Sequence, residues 1–210
     1  MSALVRLALL ALLITISPLS SDVAVAAEHD SQKAVLITGA TSGIGLRIAE
    51  RLASEGYLVY AGARKPEDID RLNKIDNIEA IRLDVTDQED IDAAVKHIRD
   101  GGRGLWGLIN NAGAFIGGPV TDVSVEETMW LFDVNVFGVY RVTQAFAPLI
   151  IESKGRISTI GSISGVGSSR FFSQYSMSKH AMEAFTDALA IELARFGVGV
   201  SIIEPGNYDS

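Results

Sequence analysis

Six short runs of aliphatic and β-branched residues alternate with longer stretches of helical period, and this alternation limits the chain more than any other feature. The runs are AVLIT (34–38), LVYAG (58–62), IEAIRL (78–83), LWGLIN (105–110), GRISTIG (155–161) and GVSII (199–203). Most are apolar throughout, as strands are when helices cover both faces of a parallel sheet. The helical segments between them are 43–55, 66–73, 87–99, 124–153 (expected as two helices) and 173–196. Asp87 heads the third with acids in its first turn and basic residues toward its end, which suits the helix dipole. Strands and helices joined by short connections imply an α/β fold, a doubly wound parallel sheet with helices on both faces and right-handed crossovers.

The 210 residues suffice for one full domain. Net charge is −8 with no basic cluster, which argues against nucleic acid as a partner. There is no cysteine, and the three histidines are scattered, so neither a disulfide nor a metal site is expected. The first 27 residues stand apart. Arg6 precedes an apolar run over 7–16, Ser17-Pro18 breaks it, and Ala24-Val25-Ala26 offers a small-x-small cleavage site. Ten residues span roughly 15 Å as a helix, about half a bilayer core, so no stable membrane span is expected. The segment reads as a secretory signal, directing export to the periplasm or outside. The alternative is a start site placed upstream of a cytoplasmic protein. The folded domain is expected over 32–210.

Two patterns carry chemistry. VLITGATSGIG (35–45) lies where the first strand gives way to the first helix, with Gly39, Gly43 and Gly45 spaced G-x-x-x-G-x-G. Glycines there permit a tight turn and let a phosphate approach backbone N–H groups at the helix N-terminus. A turn-plus-cap cluster is the plainer alternative. QYSMSKHAM (174–182) sets Tyr175 and Lys179 one helical turn apart on one face. A free phenol, pKa about 10, is a poor base near neutrality. An ammonium beside it stabilises the phenolate and makes the proton transferable. As an isolated pair, the two would be surface decoration.

With TGATSGIG the chain resembles the short-chain dehydrogenase/reductase family, and further matches follow in order: LDVT (83–86), NNAG (110–113), NVFG (135–138), GSISG (161–165), YSMSK (175–179) and EPG (204–206). The match runs from about residue 33 to the end. It implies a Rossmann-like domain and an enzyme transferring a hydride between a nicotinamide dinucleotide and an alcohol or carbonyl group. Tyr175 would be the general acid/base, Lys179 would also hold the nicotinamide ribose, and Ser162, 13 residues before Tyr175, would donate to the substrate oxygen. Ser164 has the wrong spacing. Asn135 resembles the asparagine that bends a helix and holds a water in the proton relay. The family usually has Ser-Ser where this chain has Gly161-Ser162.

Cofactor contacts implied by the resemblance are Gly39, Thr41, Ser42, Gly43, Ile44 and Gly45 in the loop, Asp84 and Val85 after the third strand, and Asn111, Ala112 and Gly113 after the fourth, with Tyr175, Lys179, Pro205 and Gly206. An acid ending the second strand would hold a ribose 2′-OH. Ala63 stands there, followed by Arg64 and Lys65, which points to NADP rather than NAD. VYAGARKPED and EPGNY resemble the retinol- and hydroxysteroid-dehydrogenase branch, implying a bulky apolar alcohol or ketone. The helices near 130–151 and 173–194 resemble those of the family's oligomer interface, implying a homodimer or homotetramer. Relative to the family the sequence stops early, so the domain is expected to be incomplete at its C-terminus. A non-catalytic dinucleotide-binding protein, or an inactive truncated paralogue, is the alternative.

Overall fold

The computed structural model describes residues 32–206, so the expected signal segment lies outside the described residues. Six strands, β1 (Ala34–Ile37), β2 (Leu58–Ala63), β3 (Ile78–Arg82), β4 (Gly107–Asn110), β5 (Arg156–Ile160) and β6 (Gly199–Ile203), form one sheet in the order β3-β2-β1-β4-β5-β6. All five pairings are parallel, with Val35 opposite Val59, Leu36 opposite Leu108 and Ile157 opposite Val200. Helices α1 (Gly43–Ser54), α2 (Pro66–Leu72), α3 (Gln88–Asp100), α4 (Val125–Phe132), α5 (Val139–Glu152) and α6 (Ser173–Ala194) cover it.

Alternation along the strands explains two cores. Ala34 and Leu36 point to one face and pack with Ile91 and Ile98 of α3, Val142, Phe146 and Ile150 of α5, and Leu189 and Leu193 of α6. Val35 and Ile37 point to the other, with Ala49 and Ala53 of α1 and Leu72 of α2. Helices on both faces bury both sides of the central strands β1, β2 and β4, which is why these read as continuous apolar runs, whereas the edge strand β6 is only partly covered. Asp87 caps α3 as expected, accepting from Glu89 N and Asp90 N. Ser124 and Glu127 close a reciprocal capping box at α4.

The segment expected as two helices holds α4 and α5, which follow one another as a continuous 28-residue run, Val125–Glu152, long and apolar enough by composition to cross a membrane. Leu131, Val142, Phe146 and Ile150 on it are fully buried in the core. Its two parts are joined without a break by a wide π-type turn, Asp133–Gly138. That turn accommodates one extra residue and turns the buried Asn135 inward.

The order places β1 and β4, whose chains leave in opposite directions, side by side at the sheet centre. A crevice opens at the carboxyl ends of strands at such a reversal, and the loops carrying the motifs converge there.

Candidate active site

A cleft of about 1110 Å³ runs along the carboxyl edge of the sheet. It is lined by Gly39, Thr41, Ser42, Ile44 and Gly45 from the β1–α1 loop, Arg64 and Lys65 after β2, Asp84 and Val85 after β3, and Asn111, Ala112 and Gly113 after β4. Ser162 after β5, Tyr175 and Lys179 on α6, and Pro205 and Gly206 after β6 complete this part of the wall. Of the residues expected at the site, Gly43 and Asn135 do not line it: Gly43 opens α1 at φ +54, and Asn135 sits behind the wall.

The glycine loop is held from the β4 side. Asn111 Nδ2 donates to Thr38 O and Gly39 O, both at 2.9 Å, and Thr38 Oγ1 accepts from Asn111 N and Ala112 N. A Cβ on Gly45 would lie 2.3 Å from Asn111 Nδ2, so the approach of α1 to this loop needs glycine. Gly39 takes φ +64, the left-handed region glycine enters freely. Ser42 occupies the N-cap position of α1, but its side chain makes no capping bond. First-turn N–H groups of a helix lack intrahelical partners and suit a phosphate.

At the β2 end, Arg64 Nη1 stands 3.7 Å from Asp84 Oδ2. Burial pushes the Asp84 carboxyl up, but hydrogen bonds from Thr86 N and Oγ1, with the Arg64 charge, outweigh it and hold the group below the usual carboxylate range. Asp84 is therefore a turn residue facing the cleft, and Asp87 is the helix cap. Val85 reaches the cleft but packs its side chain into the core against Gly138.

At the other end, Tyr175 is half-buried, and Lys179 Nζ lies 5.7 Å from its ring centroid. Lys179 Nζ donates to Ile160 O at 2.8 Å. Burial lowers its pKa to about 8, and the Glu183 carboxylate opposes that shift. Ser162 Oγ accepts from Ser164 N at 3.1 Å, leaving its O–H to donate elsewhere. Ser164 does not line the cleft. A Cβ on Gly161 would meet Ile202 Cγ1 at 2.9 Å and Ile203 O at 3.1 Å, so β6 packs too closely for a serine there. Asn135 Oδ1 accepts from Ala114 N at 2.7 Å, and its Nδ2 donates to Ala114 O and to Ser178 Oγ.

Sequence reasoning missed Phe115, Trp130 and Val134 in the wall, and Thr38 and Ser178 behind it. Thr38 stands inside the quoted glycine motif, and Ser178 inside YSMSK. For the other three, which lie outside the family motifs, the sequence held no signal.

The family described as short chain dehydrogenase matches residues 33–210. The chain is 41% identical over 186 residues to the mitochondrial D-beta-hydroxybutyrate dehydrogenase of Bos taurus, a match covering 84% of this chain and 54% of that protein. It is 39% identical over 188 residues to the 17-beta-hydroxysteroid dehydrogenase type 6 of Homo sapiens, covering 86% and 58%. The chain spans about half the length of the curated relatives it matches. Among solved structures, a short-chain dehydrogenase from Streptomyces avermitilis superposes with a TM-score of 0.81 at 39% identity, covering 85% of this chain and 67% of that one. A variant actinorhodin polyketide ketoreductase with NADPH superposes at 0.80 and 34% identity, covering 84% and 71%.

Proposed function

The chain belongs to the short-chain dehydrogenase family, and from that premise we propose that it is an NADP-dependent oxidoreductase acting on an alcohol or carbonyl substrate, with Tyr175 as general acid/base. One observation carries the reading: the glycine loop, Ser162, Tyr175 and Lys179, far apart in sequence, line a single cleft at the sheet's reversal point. The residues present fit a dinucleotide. The first turn of α1 offers N–H groups to a pyrophosphate, and Arg64 and Lys65 flank the β2 end. When bound, the nicotinamide supplies or accepts the hydride.

The chain's own groups manage the substrate oxygen and its proton. In reduction the Tyr175 hydroxyl gives its proton to that oxygen; in oxidation it takes the proton back. Ser162 O–H donates to the same oxygen as charge grows on it. Lys179 remains largely charged at neutral pH, and its ammonium stabilises negative charge on the Tyr175 oxygen. Ile160 O uses one of its three donors. Ala63 puts no carboxylate at the end of β2, and the largely exposed Arg64 guanidinium, which already offsets the Asp84 charge, can grip a 2′-phosphate with two donors.

The test is NADPH fluorescence on mixing, then oxidation with a panel of ketones. Tyr175→Phe is expected to keep its NADPH affinity and lose turnover by about 100-fold or more. Arg64→Ala is expected to move the NADPH-over-NADH preference at least tenfold toward NADH. NADPH binding without oxidation, identical in wild type and Tyr175→Phe, would leave a dinucleotide-binding protein and end the enzymatic reading.

A further inference from the structure

At the β2 end of the cleft the lining charges are balanced. Arg64 and Lys65 line it, and so do two carboxylates, Asp84 and Asp68. Arg64 stands 3.7 Å from Asp84, so its charge is partly offset already. The glycine loop contributes no ion, since residues 39–45 hold no charged side chain. Asp68, in the first turn of α2, keeps 26% of its side chain exposed. The wall by itself therefore carries no excess of positive charge to favour a dianionic phosphate over a hydroxyl group.

The excess comes from behind the wall. Arg71, one turn further along α2, does not line the cleft. Its Nη2 donates to Asp68 Oδ1 at 2.8 Å and to Thr41 O at 2.7 Å. Thr41 belongs to the glycine loop and lines the cleft. One nitrogen, using both of its hydrogens, thus joins the loop after β1 to the helix after β2. The same contact offsets the Asp68 charge and takes up a loop carbonyl that would otherwise present its negative end. Arg82 does not serve in its place: it donates to Arg64 O at 3.0 Å, and its charge is paired with Asp90, which is not part of the wall.

We propose that Arg71 is a specificity-determining residue: by offsetting Asp68 and fastening it to the glycine loop, it gives this end of the cleft the positive excess that selects a dinucleotide bearing a 2′-phosphate. Without Arg71, Asp68 is an uncompensated carboxylate facing that phosphate, and like charges brought together discriminate against the ligand. The proposal rests on the reading above that Arg64 and Lys65 meet the 2′-phosphate.

The experiment is fluorescence titration of the full chain with NADPH and with NADH, in low-salt buffer where such charges are least screened. It reads the ratio of the two dissociation constants, not turnover. Arg71→Met keeps the stem and removes the charge and the donors. It is expected to lower the preference for NADPH about fivefold or more, with the loss falling on NADPH. Adding Asp68→Asn to Arg71→Met is expected to restore much of that preference, because the repelling carboxylate is gone. Asp68→Asn alone is expected to raise the preference above wild type, and it decides the matter if circular dichroism shows Arg71→Met to be unfolded. Equal weakening of both dinucleotides by Arg71→Met would make Arg71 a mere brace of the glycine loop and overturn the proposal. An unchanged ratio in Arg71→Met or in Asp68→Asn, or a double variant no better than Arg71→Met, would overturn it too. A wild-type chain without a preference for NADPH would end the NADP reading itself, whereas a wild-type preference that survives Arg71→Met ends this proposal alone.

Discussion

Lys179 is held between two opposing demands: the proposed proton transfer wants its charge near Tyr175, and its burial penalises that charge. The folded chain lowers its pKa from 10.5 to about 8. The sign of the stability effect follows. Below pH 8 both folded and unfolded chains carry the proton, and the burial cost stands in full. Between about 8 and 10.5 the unfolded chain keeps the proton while the folded chain sheds it, so stability rises with pH. Against Lys179→Met, which has no proton to lose, wild type is expected to gain about 2 kcal/mol between pH 7.5 and 9.5 in urea unfolding without dinucleotide. A constant difference across that range would mean the ammonium is solvated and the group is not buried as described. The candidate residues that the sequence brings forward are those whose proposed chemistry is carried by spacing, Tyr175 and Lys179 one turn apart and Ser162 at a fixed distance before them, and all three line the cleft. Thr38 and Phe115 were silent as site residues because their roles come from partners far along the chain, Thr38 with the turn after β4 and Phe115 with α6. Gly161 looked like a departure from the family pattern, and the close pass of β6 gives its physical reason.

At the scale of elements, strands were the more legible part. All six lie where the apolar runs place them, with β4 starting two residues later than its run because Leu105 and Trp106 precede the ladder. The helical run Val125–Glu152 was harder, because a π-type turn leaves no mark in composition; each residue in it remains an acceptable helix residue. What fixes the turn is tertiary. Asn135 bonds the backbone of Ala114 on one side and reaches Ser178 on the other, and Ser178 Oγ in turn donates to Tyr175 O at 2.8 Å. The bend is thereby tied to α6 through one buried hydroxyl. Ser178→Ala removes both bonds of that hydroxyl and is expected to cost about 1–2 kcal/mol in unfolding free energy. It is also expected to lower kcat more than it raises KM for NADPH, because Tyr175 is displaced and the dinucleotide wall is not. A double-mutant cycle with Asn135→Ala separates this link from ordinary packing. Strictly additive losses would show that the two side chains do not act together.

At the scale of the molecule, the described surface is not evenly polar. Beside the cleft lies a groove of about 890 Å³ lined by Val125, Met129, Trp130, Phe137 and Met177 of the helical run and α6. Exposed apolar residues at this density mark an association surface. Its charged members, Asp133 and Arg141, are joined at 2.7 Å, so a second copy could cover the groove without stranding either charge. The same face on two copies would pair isologously. A homodimer through this face is the expected state in solution. Trp130 lines both the groove and the cleft, so the dimer would also steady the wall of the site. Light scattering after size exclusion is expected to give twice the chain mass, and Phe137→Asp with Met177→Asp to give the chain mass with the fold intact. If steadying of Trp130 is real, specific activity falls on dilution through the dissociation range and is low at all concentrations in the double variant. A wild-type chain that stays monomeric at tens of micromolar would refute the dimer. A dimer whose specific activity is flat through dissociation would refute the link between this face and the site.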